Sequence, residues 1–76
     1  MKVRYFPETD TLYLEFRAAS VVESRDLDEN TVVDLDASGQ MCAMTIEHAT
    51  ARAALPDVSI ERVGPEASAV SLRLAD

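Results

Sequence analysis

Carboxylates are the side chains of this sequence whose number and spacing could support chemistry. Fourteen Asp and Glu stand against seven Lys and Arg in 76 residues, which gives a formal charge of -7. Asp34, Asp36 and Ser38 place oxygen donors at alternate positions before Gly39, as at the start of a calcium-binding loop. Such a loop also needs a bidentate glutamate at its last position, which is Thr45 here. We therefore expect no specific calcium site.

Cysteine and histidine offer little for nucleophilic catalysis. Cys42 is the single cysteine and alternates with polar residues beside Met44, so we expect a buried, unreactive thiol. His48 is the single histidine, and about 20 Å of extended chain would separate it from Cys42. One cysteine and one histidine cannot form a standard zinc site, and two glycines cannot build a glycine-rich phosphate loop. The sequence predicts no cofactor, no metal and no catalytic residues, and therefore a protein that is not an enzyme.

The excess negative charge is concentrated in one segment. Residues 20–36 hold six acidic residues and one arginine, which accounts for five of the seven net negative charges. We take four of these acids, on neighbouring predicted strands, as the candidate binding surface: Glu23, Asp26, Asp34 and Asp36. A solvated face that keeps the protein soluble and protects a sheet edge is one interpretation. A second, more specific interpretation is a docking surface for a basic protein. A third is that the protein is a small hydrolase or divalent-cation-dependent enzyme that uses the same carboxylates.

The composition also excludes several classes of partner. A net charge of -7 would repel nucleic acid and anionic membranes. No apolar run approaches the length of a membrane span, and the first residues lack the apolar stretch of a signal peptide. One unpaired cysteine is typical of a reducing compartment, so we expect a cytoplasmic protein.

Alternation of apolar and polar residues predicts the strands that must position these side chains. A turn at Pro7–Asp10 joins the first two strands, and a turn that ends at Gly39 joins the last two, so two hairpins flank a weaker third strand. The predicted strands are 2–5, 12–17, 21–27, 33–36 and 42–47. Together they predict a mainly antiparallel sheet.

The remaining third of the chain changes character. Four alanines in residues 48–55 favour a short helix, which Pro56 would end. Beyond it, alternation in residues 58–61 and 70–75 favours two more strands, although a helix beginning at Pro65 is the alternative. The predicted fold class is therefore α+β, in a single domain over residues 1–76.

The apolar positions of these elements define a predicted core. Its members are Val3, Tyr5, Leu12, Leu14, Phe16, Val33, Leu35, Cys42, Met44, Ile46, Leu55, Val70, Leu72 and Leu74. An alternating apolar strand after the Gly64–Pro65 break can pair with another copy of the chain, so the tail predicts a homodimer.

Four short motifs, in order, resemble a small bacterial family. Tyr5–Tyr13 is similar to a Tyr-Asp-Pro-Glu-x-Asp-x-Leu-Tyr motif, and Glu23-Ser24 follows it. Val32–Gly39 and Met44–Thr50 are similar to the family's two later motifs, which read Val-x-x-Asp-x-Asp-x-x-Gly and Ile-Glu-Ile-Leu-x-Ala-Ser. Over about residues 1–50 the chain resembles the domain of unknown function 2283.

The resemblance implies a compact β-rich domain and brings no established activity, so no catalytic residues carry over. Phe6 and Thr45 stand where the family usually has acidic residues. Some relatives look like the partner genes of small basic toxins. The resemblance therefore implies an antitoxin-like binding role, which agrees with a basic protein as the partner of the acidic surface.

Overall fold

Strands dominate the structure, a computed structural model that describes residues 1–64 and 68–74. The strands in this part of the chain are β1 (Lys2–Phe6), β2 (Thr11–Glu15), β3 (Glu23–Asp28), β4 (Thr31–Leu35), β5 (Met41–Ile46), β6 (Asp57–Arg62) and β7 (Ser68–Arg73). The only helical element among the described residues is a 3-10 turn at Ala49–Ala51. The fold is therefore nearly all β, and the α+β prediction is wrong.

Five strands form one antiparallel sheet in the order β1-β2-β5-β4-β3. One row across it pairs Val3 with Leu14, Leu14 with Met44, and Met44 with Val33. These apolar residues share a face because residues directly opposite each other in a ladder point to the same side. Both predicted hairpins and the third strand are confirmed, and β3 lies at an edge of the sheet.

The sequence predicts a helix over residues 48–55, but the structure has only a single 3-10 turn there, at Ala49–Ala51. His48, just before it, has the left-handed backbone conformation (φ 52°), which cannot continue into a helix. The alanines that follow bury little apolar surface: Ala49 is buried, but residues 50–54 are exposed. So short a segment is not a stable helix without an apolar face that packs on the protein.

The tail forms a separate two-stranded sheet from β6 and β7, which agrees with the alternation in its sequence. Val58 pairs with Leu72 and Ile60 pairs with Val70, so these four residues share one face of the hairpin. Pro65, where the alternative helix would begin, lies outside the described residues.

The core is smaller than the sequence predicts. Its buried members are Leu12, Val33, Cys42, Ala43 and Ala49, together with the hydroxyl residue Thr31. Most other predicted core residues of the large sheet are half-buried. The prediction is wrong for Val70 and Leu72, which are 54% and 49% exposed, because the tail hairpin forms its own sheet instead of extending the large one.

Candidate functional site

Asp26 and Asp34 are the two predicted site residues that the fold places together. Asp34 of β4 lies opposite Ser24 of β3, and its Oδ1 accepts a hydrogen bond of 2.7 Å from the Ser24 hydroxyl. Asp26 is two residues further along β3, on the same side of the sheet and diagonal to Asp34, a spacing of roughly 7–8 Å between Cα atoms. The two carboxylates therefore lie on one outer face, opposite the face that carries Val33.

Glu23 points to the other side of the sheet from Asp26. It lies opposite Leu35, and strand alternation places it on the same side as Arg25. Arg25 donates from Nε to Glu23 Oε2 at 2.7 Å, an ion pair between two well-exposed side chains. The negative charge of Glu23 is therefore partly compensated, and this residue does not join the pair formed by Asp26 and Asp34.

Asp36 anchors the turn between β4 and β5. Its Oδ1 accepts hydrogen bonds from the backbone N–H groups of Ser38 (2.9 Å) and Gln40 (3.0 Å) and from the Ser38 hydroxyl (2.7 Å). Its Oδ2 forms an ion pair with the guanidinium of Arg17. The Arg17 guanidinium, and next the Ser38 hydroxyl, hold the pKa of Asp36 far below its ordinary value. Asp36 is thus occupied within its own turn.

Strand β3 is an open edge. Among the strands that the structure describes it pairs only with β4, and all six of its residues are exposed. An edge strand carries N–H and C=O groups with no partner in the sheet, which another chain can pair with. The ladder shifts register between Asp26 and Asp28, so Leu27 bulges outward and is 63% exposed. The regular part of the edge is therefore Glu23–Asp26.

A small polar cluster beyond this bulge was not predicted from the sequence. Arg52 donates from Nη1 to the hydroxyl of buried Thr31 at 2.5 Å and lies 3.3 Å from Asp28 Oδ2. Asp28 also accepts the backbone N–H of Asn30, and this bond is the first cause of its lowered pKa. The sequence contains one indication of this cluster. Asp28 and Asn30, in the polar stretch between two predicted strands, favour a turn in which the aspartate side chain accepts a backbone N–H.

The acidic segment therefore divides into two groups. Within residues 1–64 and 68–74, Glu23, Asp28 and Asp36 have arginine partners, whereas Asp26, Glu29 and Asp34 have none. We use the name acidic edge for Asp26 and Asp34 together with the exposed strand β3. The carboxylates of Asp26 and Asp34, together with that of Glu29, carry the negative charge of the segment that is still available to an outside partner.

Asp10 is a second structural carboxylate that sequence reasoning did not single out. It accepts hydrogen bonds from the Tyr5 hydroxyl (2.8 Å) and the Thr50 hydroxyl (2.7 Å), and its backbone C=O accepts Ala49 N–H at 2.9 Å. The bond from Thr50, and next that from Tyr5, lowers the pKa of Asp10. Its backbone is left-handed (φ 52°), a conformation that aspartate tolerates in turns.

The remaining candidates for chemistry lie apart. Cys42 is 1% exposed, and its Sγ lies 3.4 Å from the backbone oxygen of Asp34, so the prediction of a buried thiol is confirmed. His48 is exposed beside the 3-10 turn. In the described part of the chain, no three His, Cys, Asp or Glu residues converge as a metal site would require. Among the same residues, no helix has the length and apolar character to cross a membrane.

One comparison with known proteins matches the part of the chain that forms the five-stranded sheet. The model of a protein family described as "Protein of unknown function (DUF2283)" matches residues 2–49, well over half of the chain. The chain belongs to the DUF2283 family. The match runs from β1 to the start of the 3-10 turn, so it contains Asp10 and the acidic edge, while the β6–β7 hairpin lies beyond it. No curated protein and no solved structure matches this DUF2283 chain.

Residues of the four short sequence motifs have structural roles in this fold. Tyr5 and Asp10 of the first motif are hydrogen-bonded to each other, and Thr50 of the last motif bonds to the same carboxylate. Ser24 and Asp34, from the second and third motifs, are likewise bonded across β3 and β4. The motif residues thus tie turns and strands together, and the family description itself names no activity.

Proposed function

We propose that this DUF2283 protein is a non-enzymatic interaction module that binds a basic segment of a partner protein along the acidic edge. The observation that supports the proposal most is the coincidence of two features on one strand. β3 has an open hydrogen-bonding edge, and the carboxylates beside it, on Asp26 and Asp34, have no cationic partner among the described residues. An extended segment of the partner would add to β3 as a further strand.

The carboxylates and the open backbone edge of β3 would contribute to partner binding in different ways. Backbone hydrogen bonds to Glu23–Asp26 would supply affinity that depends little on sequence, whereas the carboxylates would select a lysine- or arginine-rich segment. Opposite charge also accelerates encounter, and salt weakens this effect because the screening length falls from about 10 Å at 0.1 M to about 3 Å at 1 M. A small basic toxin would carry such a segment. If the partner is a toxin of this kind, the protein would act as its antitoxin.

The test is capture of partners from the native host on the immobilised protein. The informative variant is Asp26→Asn with Asp34→Asn, because Asp36 holds its turn and its replacement would damage the fold. The matched control is Asp57→Asn with Glu61→Gln, which removes the same charge from exposed positions on β6.

We expect a basic protein that the original chain and the control retain at low salt and release at high salt, and that the acidic-edge variant fails to retain. Recovery of no basic protein would refute the proposal. Capture that is indifferent to salt, or equal for the acidic-edge variant and the control, would refute it as well.

A further inference from the structure

The tail hairpin presents an apolar face that the other described residues of the chain cover only in part. Val58, Ile60 and Leu72 line a groove of about 630 Å³ together with residues of the first two strands, Val3, Leu12 and Leu14. Towards the tip of the hairpin, Ile60 and Val70 lie opposite each other and are 58% and 54% exposed. Two-stranded hairpins are marginally stable in water, so this one needs a larger packing surface than the groove provides.

The whole chain is more exposed than a compact monomer of its mass. Its accessible surface is 5612 Å², whereas a folded monomer of 8.3 kDa exposes about 4,600 Å². Its radius of gyration is 14.0 Å, against about 11 Å for a compact domain of this length. Each chain thus exposes about 1,000 Å² in excess, and two chains that covered this excess would bury about 2,000 Å², the amount typical of a stable interface.

From these observations we infer that the apolar face of the β6–β7 hairpin docks on a second copy of this chain and forms a symmetric dimer. A symmetric pair uses the same surface twice, so one apolar face per chain suffices for both partners. The opposite face of the hairpin carries Ser59 paired with Ser71 and Asp57 paired with Arg73, which suits solvent. The interface therefore consists of the four residues Val58, Ile60, Val70 and Leu72, together with the groove beneath them.

The distribution of charge favours this arrangement. The groove lies against β1 and β2, and β3 is at the opposite edge of the five-stranded sheet. Asp26 and Asp34 also lie on the outer face, away from Leu12 and the hairpin. Two chains with a charge of -7 each can therefore associate through the hairpin while their most acidic segments stay apart. This inference is independent of the proposed function, since it uses a different surface.

Measurement of molar mass in solution tests the dimer. At roughly 100 µM protein, where a dimer with a Kd near 1 µM is almost fully assembled, we expect twice the mass of the chain. Ile60→Asp with Val70→Asp should give the mass of one chain, because both charges would be buried at the interface. The control Ala69→Asp with Ser71→Asp adds the same charge to the opposite face of β7, at two residues that do not line the groove, and should remain dimeric. A wild-type mass other than that of a dimer, or a dimer that persists with charges at positions 60 and 70, would overturn the inference.

A thiol label provides evidence that does not depend on how these charged variants fold. Ile60→Cys places a reactive group at an exposed position of the isolated chain, and Cys42 is too deeply buried to react at a similar rate. We expect the labelling rate of the new thiol to fall about tenfold between dilute protein and 100 µM, as the monomer fraction falls. A rate that does not depend on protein concentration would overturn the inference.

Discussion

The carboxylate of Asp10 accepts a hydrogen bond of 2.7 Å from the hydroxyl of Thr50, forty residues further along the chain. This bond joins the turn between β1 and β2 to the segment that leaves β5. The backbone N–H of Thr50 also donates to the same carboxylate, at 3.2 Å. Thr50, just beyond the residues that match the family, is thus held by the turn between the first two strands.

Thr50→Val should destabilise the fold because it removes the hydroxyl donor to Asp10 and keeps a side chain of similar shape. We expect the melting temperature to fall by roughly 4 °C, as one lost hydrogen bond does in a domain of this size. Thr45→Val is the matched control, since Thr45 lies within β5 and its hydroxyl makes no hydrogen bond in the described residues. An equal effect of both substitutions would contradict a role for the Thr50 bond.

Acid should unfold the protein through Asp10 and Asp36. The pKa of each is lowered from an ordinary value of 3.8, so these groups stabilise the folded state at pH values above about 4. This contribution declines as the pH falls below 4 towards the folded-state pKa values, because the folded state resists protonation more than the unfolded state does.

Urea unfolding at pH values from 7 down to 2 measures this effect. Asp10→Asn should lower the stability at neutral pH and flatten its decline in acid. Asp57→Asn removes the same charge from an exposed position and should leave the slope unchanged. A slope in acid that Asp10→Asn does not alter would contradict the assignment.

Gly39 should be replaceable only at a conformational cost. Its φ is 82°, and a Cβ at this position would meet no atom within 4 Å, so the cost comes from the backbone alone. Gly39→Ala should destabilise by about 1–2 kcal/mol, and Gly39→Asn by less, because asparagine tolerates the left-handed conformation. Chemical denaturation of both variants checks this order, and an alanine variant as stable as the original would contradict it.

Divalent cations should leave the melting temperature unchanged at micromolar concentration. Asp26 and Asp34 are only two carboxylates, and the oxygens of Asp36 are already engaged by Ser38, Gln40 and Arg17. A thermal shift assay with Ca²⁺, Mg²⁺, Mn²⁺ and Zn²⁺ measures this. A clear rise with any of them would support an enzyme that uses these carboxylates over the interaction module.

The sequence predicted the large sheet well because a period of two is a direct consequence of strand geometry. Leu14, Val33 and Met44 share a face as their alternation requires, and Gly39 forms the turn between β4 and β5 with a positive φ. The prediction of a helix over residues 48–55 is wrong for two reasons. Helix propensity alone does not stabilise a short segment that has no apolar face, and His48 has a left-handed backbone conformation.

The candidate site was predictable only in part. Charge density located the segment, and the prediction of neighbouring strands placed four of its acids on one surface. The register of β3 against β4, which brings only Asp26 and Asp34 together, was not predictable. The sequence did not show that Asp36 would pair with Arg17, or that Arg25 would compensate Glu23, because such pairs depend on side-chain geometry at the sheet edge. The bond between Asp10 and Thr50 depends on contact between distant segments, which no local pattern encodes.

Amide hydrogen exchange in the complex with the captured basic protein tests the central claim most directly. If the partner adds a strand to the acidic edge, exchange should slow across Glu23–Asp26 of β3. It should stay unchanged in β1, the other edge of the same sheet, which is an internal control. Unchanged exchange in β3 on binding, or slowing that is equal at both edges, would contradict the acidic edge as the binding surface.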